Sequence, residues 1–221
     1  MGEPVASKMT KSLHVFNNTF ILHPTGAMFW EEENLLVISD VHLGKVSHFR
    51  KFGSAVPQKV IAGNFQKMDE VIAFFDPSKI AFLGDLFHSS LNKEWLFFES
   101  WLKIISAEVI LVEGNHDIIS PLKYEALGVL VTPEIVLKSF LFTHHPEERA
   151  GFFNFSGHIH PGVRISGRGR QQLKLSCFFK SKNQLILPAF GEFTGKHILV
   201  PKGDDEVYVV TKEEVIAMSK V

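Results

Sequence analysis

Short apolar runs alternate with longer amphipathic stretches through the middle of the chain. Asn34–Ser39 (NLLVIS), Lys79–Leu83 (KIAFL), Val109–Val112 (VILV) and Phe140–Thr143 (FLFT) have the length and texture of strands buried on both faces. Between them, Pro57–Phe75 carries apolar residues at helical spacing behind a proline suited to a first helical turn. Asn92–Ile105 repeats that pattern, with Asn92 as its cap. This alternation predicts an α/β core. The ends read differently. Leu13–Glu33 looks like strands, with Asn17-Asn18 as a hairpin turn. Beyond Gly157, the strand candidates are Leu173–Phe179, Gln184–Phe190, His197–Val200 and Val207–Thr211, and Lys212–Met218 reads as a closing helix. Two sheets packed face to face, with helices outside, are expected.

Composition adds bounds. The chain has 221 residues, 45% of them hydrophobic, enough for one core. With no repeat or low-complexity linker, residues 1–221 are expected to form one domain. A net charge of -1 gives no global basicity. No apolar run approaches the length of about 18 residues needed for a membrane-spanning helix, and Met1–Leu13 lacks the layout of a signal peptide. Cys177 is the only cysteine, which fits a reducing, cytoplasmic setting. Phenylalanine is abundant, 21 residues against 2 tyrosines, and reads as core filling.

The chemistry-bearing residues cluster where the strands end. NLLVIS runs into Asp40-Val41-His42, KIAFL into Gly84-Asp85, and VILV, after Glu113, into Gly114-Asn115-His116-Asp117. FLFT runs into His144-His145, and Phe153–Ser156 into Gly157-His158-Ile159-His160. Residues i and i+2 of extended chain point the same way, so each D-x-H or H-x-H pair can converge. Parallel strand ends gather along one sheet edge, where α/β folds place ligands. Two aspartates, one asparagine and four histidines make a dinuclear metal site that one aspartate can bridge. Without thiolates, the donors suit manganese, iron or catalytic zinc. Taken singly, G-D is a common turn and D-x-H or H-x-H a weak signal. All five, in order and each after an apolar run, are not.

DVH, GD, GNHD, THH and GHIH together resemble the signature of the calcineurin-like metallophosphoesterases. The stretches SDVHLGKVSHFRKFGSAVP, LGDLFHSSLNKEW, GHIHPGVRISGRGRQ and LPAFGEFTG narrow the resemblance to bacterial metallophosphoesterases associated with a DNA ligase and a DEAD/H-type helicase. The resemblance implies a four-layer α-β-β-α sandwich. It implies that Asp40, His42, Asp85 and His160 hold one divalent ion and that Asp85, Asn115, His144 and His158 hold the other. Manganese is expected first, with iron or zinc as alternatives. His144 is preferred to His145 because it comes first off the strand and Pro146 restricts the backbone of His145.

Two such cations can share a water, lower its pKa and grip phosphate oxygens, so metal-activated hydroxide is the expected nucleophile. His116 is the candidate to neutralise the departing alkoxide. Many phosphatases of this superfamily read G-D-x-x-D-R, whereas this chain reads Gly84-Asp85-Leu86-Phe87-His88-Ser89. G-D-L-F-H resembles the nuclease subunit of the double-strand-break repair complex. His88 is therefore a second catalytic candidate, and the balance shifts toward a phosphodiesterase. Residues 149–191 hold seven lysines and arginines and no acid, so the rest of the chain carries about -8. Arg164, Arg168 and Arg170, in a glycine-punctuated loop, are candidates to grip phosphate, as are Lys45, His48 and Arg50. The expected function is hydrolysis of phosphodiester bonds, with nucleic-acid ends in DNA repair as the setting and a functional link to ligase and helicase. A small-molecule phosphoesterase acting on cyclic nucleotides or nucleotide derivatives is the alternative, and a non-catalytic scaffold ranks below both. An oligomer is compatible with the sequence, and no membrane association is expected.

Overall fold

The computed structural model describes residues 9–45, 59–88, 91, 93–167, 171–192 and 194–218, without the side chains of residues 59–62. The first sheet runs β1 (Lys11–Val15), β2 (Asn18–Leu22), β3 (Met28–Trp30), β4 (Leu35–Ile38), β5 (Lys79–Leu83), β6 (Glu108–Val112) and β7 (Leu130–Thr132), in that spatial order. It is antiparallel up to β4 and parallel from β4 to β7. Helices α1 (Lys59–Phe75), α2 (Lys93–Leu102) and α3 (Pro121–Glu125) occupy the β4–β5, β5–β6 and β6–β7 connections. They bury Met68, Val71, Trp95, Phe98, Trp101 and Tyr124 in one core with Leu36, Ile38, Ile80, Phe82 and Leu111 of the sheet.

The second sheet comprises β8 (Ile135–Leu137), β9 (Phe140–Thr143), β10 (Phe153–Ser156), β11 (Pro161–Ser166), β12 (Gln172–Ser181), β13 (Gln184–Ile186), β14 (His197–Ile198), β15 (Glu206–Val210) and β16 (Val215–Ala217). Its order is β14-β11-β12-β13-β10-β9-β8, with β15 on β12 and β16 on β15. β9, β10 and β13 run parallel. The inner faces of the two sheets share a core in which phenylalanine dominates. Phe20 lies 4.6 Å from Phe155, Phe142 lies 5.0 Å from Phe155, and Trp30 lies 4.9 Å from Phe140, centroid to centroid. Such pairs add roughly 0.5–1.5 kcal/mol each to burial. The opposite face of the second sheet carries a smaller cluster of Val163, Cys177, Phe179, Ile186, Val207 and Val209. Burial pushes the Cys177 thiol up to about 12, so it packs rather than reacts. The mixed α/β two-sheet architecture is the one expected.

Several local readings change. Lys212–Met218 is not a helix, because Val215–Ala217 pairs antiparallel with β15. A three-residue edge pairing with a buried Val215 outweighs the weak helical signal of so short a segment. The hairpin turn falls one residue early, on Phe16 and Asn17. Both have positive φ, 47° and 61°, as the tight turn joining Val15 to Asn18 requires. Arg164 stands on β11, a strand hidden in the sequence by its mixed Pro-Gly-Val-Arg-Ile-Ser composition, and not in a loop. The run Gln184–Phe190 is strand only as far as Ile186. Glu31–Glu33 forms one turn of 3-10 helix. His48, Arg50, Pro57, Asn92, Arg168 and Arg170 lie outside the described residues. No described helix is long and apolar enough to cross a membrane.

His23, in the β2–β3 connection, is 2% exposed and packs on the rings of Phe74 and Phe75. Its Nδ1 accepts the Thr25 N–H at 3.2 Å and lies 2.9 Å from Thr25 Oγ1. Burial, then the nearby Lys67 charge, lower its pKa from 6.5 to about 4. The folded protein thus keeps His23 neutral while the unfolded chain would protonate it. Its contribution is full above pH 6.5 and is lost as pH falls toward 4. By denaturant titration followed through tryptophan fluorescence, the stability advantage of wild type over His23→Gln should shrink by about 2 kcal/mol between pH 7 and pH 4.5. A pH-independent gap would contradict this assignment.

Candidate metal centre

The loops that follow β4 and β5 are zipped together by their backbones. His42 N–H donates to Asp85 O at 2.9 Å, Leu43 N–H to Leu86 O at 2.8 Å, and His88 N–H to Leu43 O at 2.8 Å. This register brings Asp40 and His42 beside Asp85. Across the seam between sheets, Phe190 N–H donates to Ser39 O and Gly191 N–H to Asp40 O. The His158 N–H donates to Asp40 Oδ2 at 2.9 Å. The carboxyl ends of β4, β5 and β6 thereby meet those of β9 and β10.

All seven sequence-derived ligand candidates converge there. Donor atoms of Asp40, His42 and His160 lie within 4.8 Å of one another, as do those of Asp40, Asp85 and His144. Asp85 stands between the two sets, with Oδ2 3.8 Å from His42 Nε2 and Oδ1 3.4 Å from His144 Nε2. His42 Nε2 and His160 Nε2 are 3.2 Å apart. Around His144 Nε2 stand His158 Nδ1 at 3.2 Å and Asn115 Oδ1 at 2.9 Å. The other nitrogen of His144, Nδ1, lies 2.9 Å from the carbonyl of Leu83. A carbonyl only accepts, so Nδ1 donates there, and Nε2 is the nitrogen turned to the cluster as a potential ligand.

These atoms suit a cation. Asp40 Oδ1 and His42 Nδ1 are buried without an aligned hydrogen bond among the described residues, and buried polar atoms are rarely left so. The charge balance agrees. Burial, opposed by Asp40, holds His42 neutral, with its pKa lowered to about 3. Burial of Asp40 would raise its pKa, but His160, His144 and His42 outweigh it and hold the carboxyl below the usual range. Burial, then neighbouring imidazoles, lower the pKa values of His145 and His158. A neutral His42 beside an ionised Asp40 is the donor state that hard and borderline divalent ions take.

The glycines of the motifs exist because backbone and ligand approach closely. A Cβ on Gly84 would collide with the His144 ring, one on Gly114 with Asp85, and one on Gly157 with Asp40 and Ser39. Five of the seven ligand candidates adopt left-handed backbone: Asp40, His42, Asp85, His158 and His160, with φ between 51° and 66°. This region is uncommon for residues other than glycine and clusters at functional sites.

The remaining candidates divide. His116 is exposed at the rim, and its backbone N–H donates to Asp85 Oδ1 at 2.9 Å. Its ring stands 4.7 Å from that of His88 and 6.0 Å from that of His42, and His88 is 5.3 Å from His42. Both imidazoles therefore face the Asp40–His42 side. Asp117 is not part of the donor cluster. Its carboxylate accepts the N–H groups of Phe87 and Gly114, tying the GNHD turn to the β5 loop, and burial raises its pKa to about 6. Half-buried Lys45 has a lowered pKa, mainly from burial, which the Asp85 charge opposes. Arg164 is exposed on β11.

Sequence reasoning set His145 aside in favour of His144, yet its exposed ring lies 3.9 Å from that of His158, tilted by 54°, and its donor atom falls within 4.8 Å of those of His144 and His158. It also missed the support behind Asp40. Lys67 donates to Phe190 O at 2.7 Å, and Asn64 Nδ2 donates to Val41 O at 3.4 Å. No periodic signal marks either residue; only the stretch LPAFGEFTG hinted at the segment they hold.

Comparison with known proteins agrees with this geometry. No curated protein matches the sequence. Among solved structures, the chain is similar to the nuclease MPE of Pseudomonas putida, at 27% identity over 95% of this chain and 100% of that one, with a TM-score of 0.80. The phosphoesterase Yfce of E. coli is more distant, at 15% identity over 83% of this chain and 96% of that one, with a TM-score of 0.42. The model of the family described as calcineurin-like phosphoesterase matches residues 34–204. Spanning well over half of the sequence and every motif at the seam, that match shows that the chain belongs to the calcineurin-like phosphoesterase family.

Proposed function

We propose that this protein is a dinuclear metal-dependent phosphodiesterase acting on nucleic acid, with Asp85 shared between two ions. The observation that carries the reading is the position of Asp85, with one oxygen toward His42 and the other toward His144. Asp40, His42 and His160 complete one set of ligands, and Asn115, His144 and His158 the other. Manganese is the ion we expect, with iron or zinc as alternatives. When bound, such ions acidify a water and neutralise phosphate charge. The chain's own residues do the rest. The His144 Nδ1 contact with Leu83 O fixes that ring's tautomer and aim. His116 holds a proton at the rim for the departing alkoxide, and His88, beside it, orients or shares that proton.

The diester preference is supported by His88 standing where monoesterases of the superfamily place an aspartate followed by an arginine. A nucleic-acid substrate is supported by the likeness to the Pseudomonas putida nuclease. Cytoplasmic location, action as a single domain over residues 1–221, and a functional link to a DNA ligase and a helicase in repair complete the proposal. They rest on the lone cysteine and on the sequence resemblance.

With manganese added, wild type should hydrolyse bis-(p-nitrophenyl) phosphate faster than p-nitrophenyl phosphate. His116→Ala should lose about 10²–10⁴-fold in kcat/KM on the diester while keeping its metal. No turnover with manganese, iron or zinc would refute the enzymatic reading. Asp85→Asn should bind fewer than two ions per chain by elemental analysis; full stoichiometry would contradict the shared carboxylate. Gly157→Ala forces a Cβ onto Asp40 and Ser39. It should weaken metal binding at least tenfold by calorimetry, and unaltered affinity would show that the close approach is not needed.

A further inference from the structure

A cleft of about 570 Å³ opens between α1 and the β12 and β15 strands, away from the metal centre. Lys67, Lys174, Lys196 and Lys212 line it, against Glu70 and Glu192. Lys67 is committed, since its ammonium bonds Phe190 O and lies 4.2 Å over the Phe190 ring. Glu192 and Glu70 are the acids whose charges act on it. The other three lysines are exposed. Among the described residues they make no ion pair, whereas Lys138 and Lys180 are paired with Glu33 and Glu206.

The β11–β12 hairpin concentrates this charge. Arg164 lies directly opposite Lys174, and Gly162 opposite Ser176, so all four share one face. Like charges opposed across a ladder are destabilising. Lys196 stands over the same face, because a Cβ on Gly162 would lie 3.1 Å from Lys196 Cβ. The next residue, His197, donates its N–H to the carbonyl of the ligand candidate His160 at 2.9 Å. The basic row therefore starts one residue from the backbone that carries the metal centre and leads away along the hairpin.

We propose that this basic cleft binds the phosphodiester backbone of a nucleic-acid strand beyond the scissile position. Lys174, Lys196 and Lys212 are its phosphate contacts, and Arg164, opposite Lys174 on the hairpin, continues the basic row beyond the cleft. The inference rests on the nucleic-acid reading above and adds where the strand runs. Ammonium groups on flexible stems suit a phosphate track that carries no sequence information, and the bare Gly162 lets the Lys196 segment pack closely on the hairpin, which brings its ammonium to the same face.

The test is fluorescence anisotropy of a labelled single-stranded 20-mer on metal-free protein, so that cleavage does not interfere. Lys174→Glu/Lys196→Glu should weaken binding at least tenfold at low salt. It should also reduce the slope of log affinity against log salt by about 1.5, roughly two phosphate contacts on a single strand. Lys182→Glu, on the exposed β12–β13 turn, should stay within twofold of wild type. With manganese, the double variant's ratio of oligonucleotide to bis-(p-nitrophenyl) phosphate turnover should fall by a similar factor. Unchanged affinity in the double variant, or an equal loss in Lys182→Glu, would overturn the cleft. Competition by polyglutamate as effective as by DNA of equal charge would overturn the nucleic-acid assignment. These binding outcomes are independent of catalysis: a catalytically dead wild type with intact cleft-dependent binding would sink the enzymatic reading and leave the cleft standing.

Discussion

Metal-type donor atoms crowded into one buried seam set the terms for the rest of this structure. His144 directs Nδ1 at the Leu83 carbonyl and Nε2 at Asp85, Asn115 and His158. On the other side, His42 and His160 face Asp40 within the same few ångströms. Such an assembly is costly in a buried setting unless positive charge enters it. The surrounding backbone is bent to keep it, with five left-handed non-glycine residues at about 1 kcal/mol or more each. The parallel strands on either side over-determine those bends. Each ligand loop is hydrogen-bonded to its neighbour or to the opposite sheet before any side chain is considered.

This explains which parts of the molecule were legible in the sequence. Strands buried on both faces have nowhere to put polar residues except at their ends, so Asp40, Asp85 and His144 announced themselves by following unbroken apolar runs. The reason for the glycines came only from the structure: Gly84, Gly114 and Gly157 sit where a Cβ would strike a ligand or its neighbour. Half-exposed strands lack that contrast. β11 reads Pro-Gly-Val-Arg-Ile-Ser, with burial falling off along its length, and passed for a loop. β16 is three residues on a sheet edge, and its identity comes only from pairing with β15. The Asn17 hairpin slipped by one position because the turn geometry forces φ > 0 on Phe16, a residue no propensity would choose.

His145 and Asp117 show a different limit. Both adjoin motif positions, and sequence offers little to separate ligand, orienter and brace. Position resolves them. Asp117 spends both oxygens on the backbone N–H groups of Phe87 and Gly114, so it braces the loop that presents His116. His145 turns outward from the strand end but folds its ring back against His158. There its own donor atom falls within 4.8 Å of those of His144 and His158.

The basic hairpin and the metal centre share a wall. Lys67 and Asn64, one turn apart on α1, grip the segment Phe190–Glu192 through the Phe190 carbonyl and the Glu192 N–H. That segment in turn holds Ser39 and Asp40 by their carbonyls. Gly191 runs so close to Val41 that no side chain fits between them. The floor of the cleft is therefore the back of the ligand loop. A strand lying along Lys174 and Lys196 would press on one of the connections between sheets that fix Asp40. Substrate length and metal geometry thus have a short, stiff path through which to influence each other, made of backbone hydrogen bonds and one largely buried lysine.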